Sequence, residues 1–378
     1  MRIREVRVNL IRSYTVKSYV TAIYKEGMTE SRSIIVQLVT DEGLTGIAET
    51  NPELGFGTES RQSVMSLIHE RLGPAALGMD GTNINALMQR VSKSVPGNSF
   101  AKAPFDIAAH DLLGKALNVP VHQLLGGKIR DRVPMIWAFG GGTPEENVAE
   151  ALAKMEEGYR SFHIKLGALN PAVDVARVAA VREAVGPDVP LMLDANQGWD
   201  RSTAMHTIRQ LAAYNPSMVE QPVPAWDIES MAKIQASTHV PISADEVIGS
   251  PQTAIELVRR DAARVFSLKH GKMGGLTRTM QIAAIAEAAG LPCFVNSMIE
   301  MDLSVITSLH VAAVVPNLIN HGQALMSNLR MKGSILEPGA FNYDGKDILV
   351  PEHCAGLGVT LDQDEIERRT LDSFVLKN

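Results

Sequence analysis

The order of apolar and polar positions changes character about a third of the way along the chain. In the first part, Ile3–Ile11 and Ser33–Thr40 alternate apolar and polar residues with the period of a half-buried strand. Asp41-Glu42-Gly43 is a turn signal, and Leu44–Glu49 resumes the alternation, which predicts a further strand. Helical spacing follows at Arg61–Leu72 and Ile84–Val91. A longer helix is predicted over Lys102–Leu117, where Ala103, Ile107, Ala108 and Leu112 share one face. Strands followed by helices predict an α+β unit.

From Val133 onward the rhythm becomes short apolar strand, loop, helix, repeated. Strands are predicted at Val133–Ala138, Phe162–Leu166, Val189–Leu193, Met218–Glu220, Pro241–Ala244, Val265–Lys269, Pro292–Asn296 and Leu318–Asn320. Helices are predicted between them at Thr143–Glu157, Asp174–Val185, Ser202–Ala213, Gln252–Arg260 and Thr277–Ala289. Strands that alternate with helices build parallel βαβ units, and eight of them fit a closed barrel. An open doubly wound sheet competes, but no Gly-rich fingerprint follows a first strand. The expected organisation is an α+β domain over residues 1–130 and an α/β barrel over 131–346. A final segment, 347–378, is expected to fold back on the first domain.

Composition narrows the function classes. A 378-residue chain with 45% hydrophobic residues can bury a large core. A net charge of −6 without a basic stripe argues against a nucleic-acid partner. No apolar run of about 18 residues occurs, so no membrane span is expected. Two cysteines, Cys293 and Cys354, make neither a disulfide framework nor a Cys-rich zinc site, which suits a reducing, cytoplasmic setting. The expectation is a cytoplasmic enzyme that acts on a small molecule.

The candidate chemistry lies at the strand ends. In a βα barrel the C-terminal ends of the strands share one mouth. Those ends carry Lys165, Asp194, Glu220, Asp245 and Lys269, spaced 29, 26, 25 and 24 residues apart, close to one compact βα unit per step. Three neighbouring carboxylates in a buried mouth repel one another unless a cation neutralises them. All-oxygen ligation suits a hard ion, Mg2+ or alternatively Mn2+, with positions left open for substrate. The two lysines flank that ion, and nearby positive charge should lower their pKa toward the working pH of a general base. Such an ion would hold a substrate carboxylate and offset the charge that builds as the α-proton leaves.

At these residues the chain resembles the enolase superfamily, and within it the muconate-lactonizing subgroup of the mandelate racemase/muconate lactonizing enzyme family. The matching stretches are His163-Ile-Lys165, Leu193-Asp194-Ala-Asn196, Glu220-Gln-Pro222, Ala244-Asp245-Glu246 and Lys269 followed by Gly274-Gly275. Asp106-Ile-Ala-Ala-His-Asp111, Leu124-Leu-Gly-Gly127 and Gly356-Leu-Gly358 resemble the family's flanking segments. The resemblance implies a modified TIM barrel, (β/α)7β, with an N-terminal α+β capping domain completed by the C-terminal segment. It also implies Mg2+ on Asp194, Glu220 and Asp245, catalytic lysines at 165 and 269, and a homo-oligomer.

Departures from the family refine this expectation. His163 stands where the subgroup has a lysine, and an imidazole changes the field around the carboxylates. Near Asn296 there is no histidine base, and Lys269 stands where the mandelate-racemase subgroup has an aspartate, which excludes that dyad. The eighth-strand region lacks the Asp-x-Asp of dipeptide epimerases and the glutamate of lactonizing enzymes, with Gln323 nearby. His163, Asn196, Asn296, Met298, Glu300 and Gln323 are the expected substrate-binding or supporting residues. Glu246 is expected to support the site from behind, and His270 to point outward. Two loops, Ser13–Ser31 and Asn51–Ser60, are expected to close over the mouth. The expected function is a Mg2+-dependent isomerase that removes the α-proton of a small carboxylate to give a metal-stabilised enolate. A racemase or epimerase with two lysines on opposite faces is favoured. Muconate-type cycloisomerization and syn-dehydration of a hydroxy or amino acid are the alternatives.

Overall fold

The computed structural model describes all residues from 1 to 378. The N-terminal alternation builds an antiparallel sheet in the order Thr370–Lys377, Ile3–Tyr19, Met28–Thr40, Thr45–Thr50. The chain's last strand thus pairs with its first, from Glu5 opposite Lys377 onward. Gly43, at φ +86°, makes the tight turn predicted at Asp41-Glu42-Gly43. The first two strands run further than the alternation predicts. Beyond Ile11 they continue as a hairpin, with Tyr14 opposite Glu30 and Tyr19 opposite Met28. The segment expected as a loop over Ser13–Ser31 is therefore mostly strand, with residues 20–27 as its tip and a break in register between Tyr14 and Tyr19. The sequence hides this because the buried positions of the extension, Ser13 and Thr15, are polar, while Val16 is 63% exposed.

The helix Ser99–Leu117 joins the two parts of the molecule and is buried on nearly every side. Its polar positions are ties. Asp111 accepts from the backbone N–H of Ile47 at 2.9 Å in the sheet and of Leu357 at 2.8 Å in the C-terminal segment. Asp106 accepts from Thr277 Oγ1 at 2.6 Å on a barrel helix. Gly275 is required at this contact: a Cβ there would lie 2.5 Å from the Asp106 side chain, and its φ is +107°.

The remaining strands form a parallel sheet of seven: Trp137–Phe139, Phe162–Lys165, Leu191–Asp194, Met218–Glu220, Ile242–Ala244, Val265–Leu268 and Cys293–Val295, each beside its neighbour in sequence. The eighth position is held by single bridges. Leu318 pairs with Cys293 on one side and Gln323 with Met135 on the other, so residues 318–323 close the ring. Helix starts follow local chemistry. Thr143 caps Pro144–Glu156 through a reciprocal pair of bonds with Glu146. One apolar cluster of 95 buried residues runs through both parts. No helix is long and apolar enough to cross a membrane.

Candidate active site

Parallel register sets the row of charged groups at the mouth. Lys165 lies opposite Asp194, and Asp194 opposite Glu220, at the ends of the second, third and fourth barrel strands. Asp245 and Lys269 each stand one residue beyond the end of the fifth and sixth strands. Lys165 Nζ pairs with Asp194 Oδ2, and Lys269 Nζ with Asp245 Oδ2. All five side chains are buried except Lys165, which is 11% exposed.

His163 lies two residues before Lys165 and points to the same, inward face. Its Nε2 comes within 3.1 Å of Glu220 Oε2 and 4.0 Å of Asp194 Oδ2. Both His163 Nε2 and Glu220 Oε2 are buried without a hydrogen-bond partner. Asn296 Nδ2 donates to Glu220 Oε1 at 2.9 Å and to Ser267 Oγ at 3.0 Å, which fixes the carboxylate plane. Asn196 donates its backbone N–H to Asp194 Oδ1 at 2.8 Å and its Nδ2 to Glu246 Oε1 at 3.1 Å. Glu246 thus reaches the site through Asn196, as expected. His270, expected to be outward and structural, lies outside the cavity lining and is buried with Nε2 3.2 Å from the Ser304 carbonyl.

Sequence reasoning missed two cations. Lys272 Nζ lies 2.9 Å from Asp245 Oδ1, so Asp245 is held by two lysines. The signal was present in Lys269-His-Gly-Lys272, since residues three apart share a helical face. Arg177 is fully buried and donates to the Lys165 carbonyl at 2.9 Å, to Asn147 Oδ1 at 2.7 Å and to Asp174 Oδ1 at 3.0 Å. It anchors the backbone that carries Lys165, and its sequence position within a helix gives no sign of this.

The protein's own charges set the proton affinities of the row. Burial disfavours the Lys165 ammonium, but Asp194 and Glu220 outweigh it and raise its pKa. Lys269 is raised for the same reason, with Asp245 and Glu220 opposing burial. Burial also disfavours the Glu220 carboxylate, yet His163, Lys269 and Lys165 hold it well below the usual carboxylate range. Glu246 is pushed well above that range by burial, then by Asp245 and Asp194.

The donors fit a hard divalent ion. His163, Asp194 and Glu220 offer ligand atoms within 4.8 Å of one another, and the unpartnered Glu220 Oε2 is one of them. Asp245, expected as the third ligand, is not in that group; its two oxygens face Lys269 and Lys272. A cavity opens on this row, with Lys165, His163, Asn196 and Asn296 on the barrel side and Tyr19, Tyr24 and Phe56 from the first domain. Phe56 also stacks under Lys269, 4.5 Å from its Nζ. Lys17, on the same hairpin, pairs with Glu150 in solvent. Gln323 lies outside the lining. Its Oε1 accepts from the Val295 N–H at 2.7 Å and its Nε2 donates to the Ile319 carbonyl at 3.0 Å, so it ties the closing segment of the barrel. Met298 and Glu300 are buried behind the lining, where the Met298 N–H donates to the Glu300 carboxylate.

Residues 146–365 match the family model described as enolase C-terminal domain-like. Residues 10–126 match the mandelate racemase/muconate lactonizing enzyme N-terminal domain. The chain belongs to this family of the enolase superfamily. It is 35% identical to muconate cycloisomerase 1 of Rhodococcus opacus over 91% of this chain and 92% of that protein. It is 33% identical to the N-succinyl-L-Arg/Lys racemase of Bacillus cereus, over 91% of this chain and 92% of that one. The crystal structure of that racemase overlays with a TM-score of 0.95 over the whole of both chains. A dipeptide epimerase from Enterococcus faecalis, solved with Mg and L-Leu-L-Tyr, is 30% identical, with a TM-score of 0.88 over 95% of this chain and 100% of that one. Such relatives are cycloisomerases, racemases and epimerases, and the chain is an isomerase of the enolase superfamily.

Proposed function

We propose that the chain is a Mg2+-dependent racemase or epimerase that moves the α-proton of a small carboxylate between two lysines. The observation that carries this reading is the pair of lysines, Lys165 and Lys269, on either side of Glu220. Each is already hydrogen-bonded to a carboxylate that would share its charge with an ion. In this reading Asp194, Glu220 and Asp245 hold Mg2+, with His163 near enough to Glu220 to orient or join the set. When bound, the ion would take up the carboxylates' charge, freeing a lysine to act as base, and would neutralise the charge that grows on the substrate carboxylate. Lys165 removes the proton from one face as a neutral amine, and Lys269, as ammonium, delivers one to the other. Asn296 holds Glu220, and Arg177 holds the Lys165 backbone, so that both stay in line. The rim residues Tyr19, Tyr24 and Phe56 exclude water from the transfer.

Cycloisomerization is the second reading, favoured by the 35% identity to a muconate cycloisomerase. It needs one lysine for proton transfer and the other as electrostatic support. Exchange in D2O with Mg2+ separates the two, followed by NMR across N-acylated amino acids, hydroxy acids and muconates. Wild type should wash deuterium into the α-carbon and invert it, while Lys165→Ala and Lys269→Ala each lose inversion. Formation of a lactone or a keto acid with one lysine dispensable would overturn the two-base reading.

A further inference from the structure

His163 takes the place of the subgroup's lysine inside the carboxylate row, and it changes the kind of atom presented there. An ammonium has no lone pair to give a metal, whereas a neutral imidazole nitrogen is a ligand. The ring is 1% exposed and stands edge-on to Phe294, with centroids 5.7 Å apart and planes at 84°, which fixes its direction. Its Nε2 lies 3.1 Å from Glu220 Oε2 and 4.0 Å from Asp194 Oδ2. Two ligand atoms each about 2.1 Å from one ion are at most about 4.2 Å apart, so both separations admit a shared ion. Nε2 and Glu220 Oε2 are both buried, and both lack a hydrogen-bond partner. Asp245, whose oxygens face Lys269 and Lys272, stands outside this group of three.

An imidazolium paired with Glu220 is the rival account, a fixed positive charge in place of the lysine's. It would aim its N–H at Oε2 and leave neither atom without a partner, and buried polar atoms are rarely left so. A shared cation satisfies both atoms at once. We propose that His163 Nε2 is the third ligand of the site's cation, beside Asp194 and Glu220, and that this nitrogen turns the site's preference from Mg2+ toward a first-row transition ion such as Fe2+ or Co2+. Carboxylates and water suit Mg2+, whereas an imidazole ligand favours the later ions of the row. This rests on the reading above only in taking the carboxylate row as a cation site, and not on the two-lysine transfer.

The test uses the full chain stripped of metal by a chelator, and it reads binding and spectroscopy. With Mn2+ bound, pulsed electron paramagnetic resonance should show hyperfine coupling to a directly bound nitrogen. Growth on isotopically labelled histidine should change that coupling, a check that needs no variant. His163→Gln keeps a hard oxygen donor and removes the imidazole, so in this variant the coupling should vanish. By titration calorimetry the same variant should lose at least the about 10–100-fold in Co2+ affinity that loss of an outer partner costs, while Mg2+ affinity stays within about threefold. A Mn2+ signal without histidine nitrogen coupling, a coupling that survives His163→Gln, or equal weakening of Co2+ and Mg2+ would each overturn the assignment. So would binding of no cation, which would also remove the metal from the proposed function. If Mg2+ binds and α-protons exchange without a nitrogen signal, the isomerase reading stands and His163 is no ligand. If the nitrogen signal is present while no acid exchanges its α-proton with any ion, His163 stands as a ligand and the isomerase reading fails.

Discussion

Replacing each catalytic-candidate lysine by methionine, which keeps most of its length and packing, should destabilise the protein unequally. Asp194 is fully buried, and Lys165 is its only ammonium partner; what remains is the Asn196 backbone N–H at 2.8 Å. Removing one member of a buried ion pair costs about 3–5 kcal/mol. Asp245, also fully buried, keeps Lys272 at 2.9 Å when Lys269 is removed, so that loss is closer to one charge-assisted hydrogen bond, about 1.5–3 kcal/mol. At about 2.1 cal/mol/K per residue, the chain's unfolding entropy is about 0.8 kcal/mol/K near 60 °C. Lys165→Met should then lower Tm by about 4–6 °C in EDTA, and Lys269→Met by about 2–4 °C. Saturating Mg2+ should restore Lys165→Met most, because a dication on Asp194 replaces the missing charge. Differential scanning calorimetry with and without Mg2+ reads all four values. Equal losses for the two variants in EDTA would refute the sharing of Asp245 by two lysines. A Tm indifferent to Mg2+ in every form would refute the carboxylate row as a cation site.

Other expectations follow from single contacts. Asn296→Ala frees Glu220 and should weaken Mg2+ binding by about 10–100-fold by titration calorimetry, and lower Tm in EDTA by about 2–4 °C for the lost charge-assisted hydrogen bond. Gly275→Ala should be strongly destabilising, since its Cβ meets Asp106 at 2.5 Å, whereas Gly290→Ala, with open space around it, should cost about 1 kcal/mol for its φ alone; urea unfolding compares them. Burial pushes Glu49 up to about 7, although Ser33, Met301 and Ser304 donate to it at 2.6–2.9 Å across the two parts of the molecule. The folded state therefore binds a proton that the unfolded state releases near pH 4.5. Glu49 thus favours folding most below that pH, and about 3 kcal/mol is lost as pH rises through 7. Unfolding across pH 4.5–7 should show this slope in wild type and not in Glu49→Gln.

The row of charged residues at the mouth was legible because it depends on local rules. A strand's period and the βα spacing put Lys165, Asp194, Glu220, Asp245 and Lys269 at one end of a barrel, whatever the rest of the chain does. Helix starts such as Thr143 were legible for the same reason, since a cap is made within four residues. Resemblance to known motifs then supplied the family. Tertiary structure decided what the long side chains do. Gln323 was expected among the substrate-binding or supporting residues and ties the closing segment; Lys272, Arg177 and Arg330 carried no expectation and line or support the site. The hairpin over Ser13–Ser31 is likewise decided by pairing between strands. The division has one physical cause. Backbone period and capping are set by neighbours in sequence, whereas the partner of a flexible charged or amide side chain is set by whichever distant segment the packed fold brings within hydrogen-bond reach.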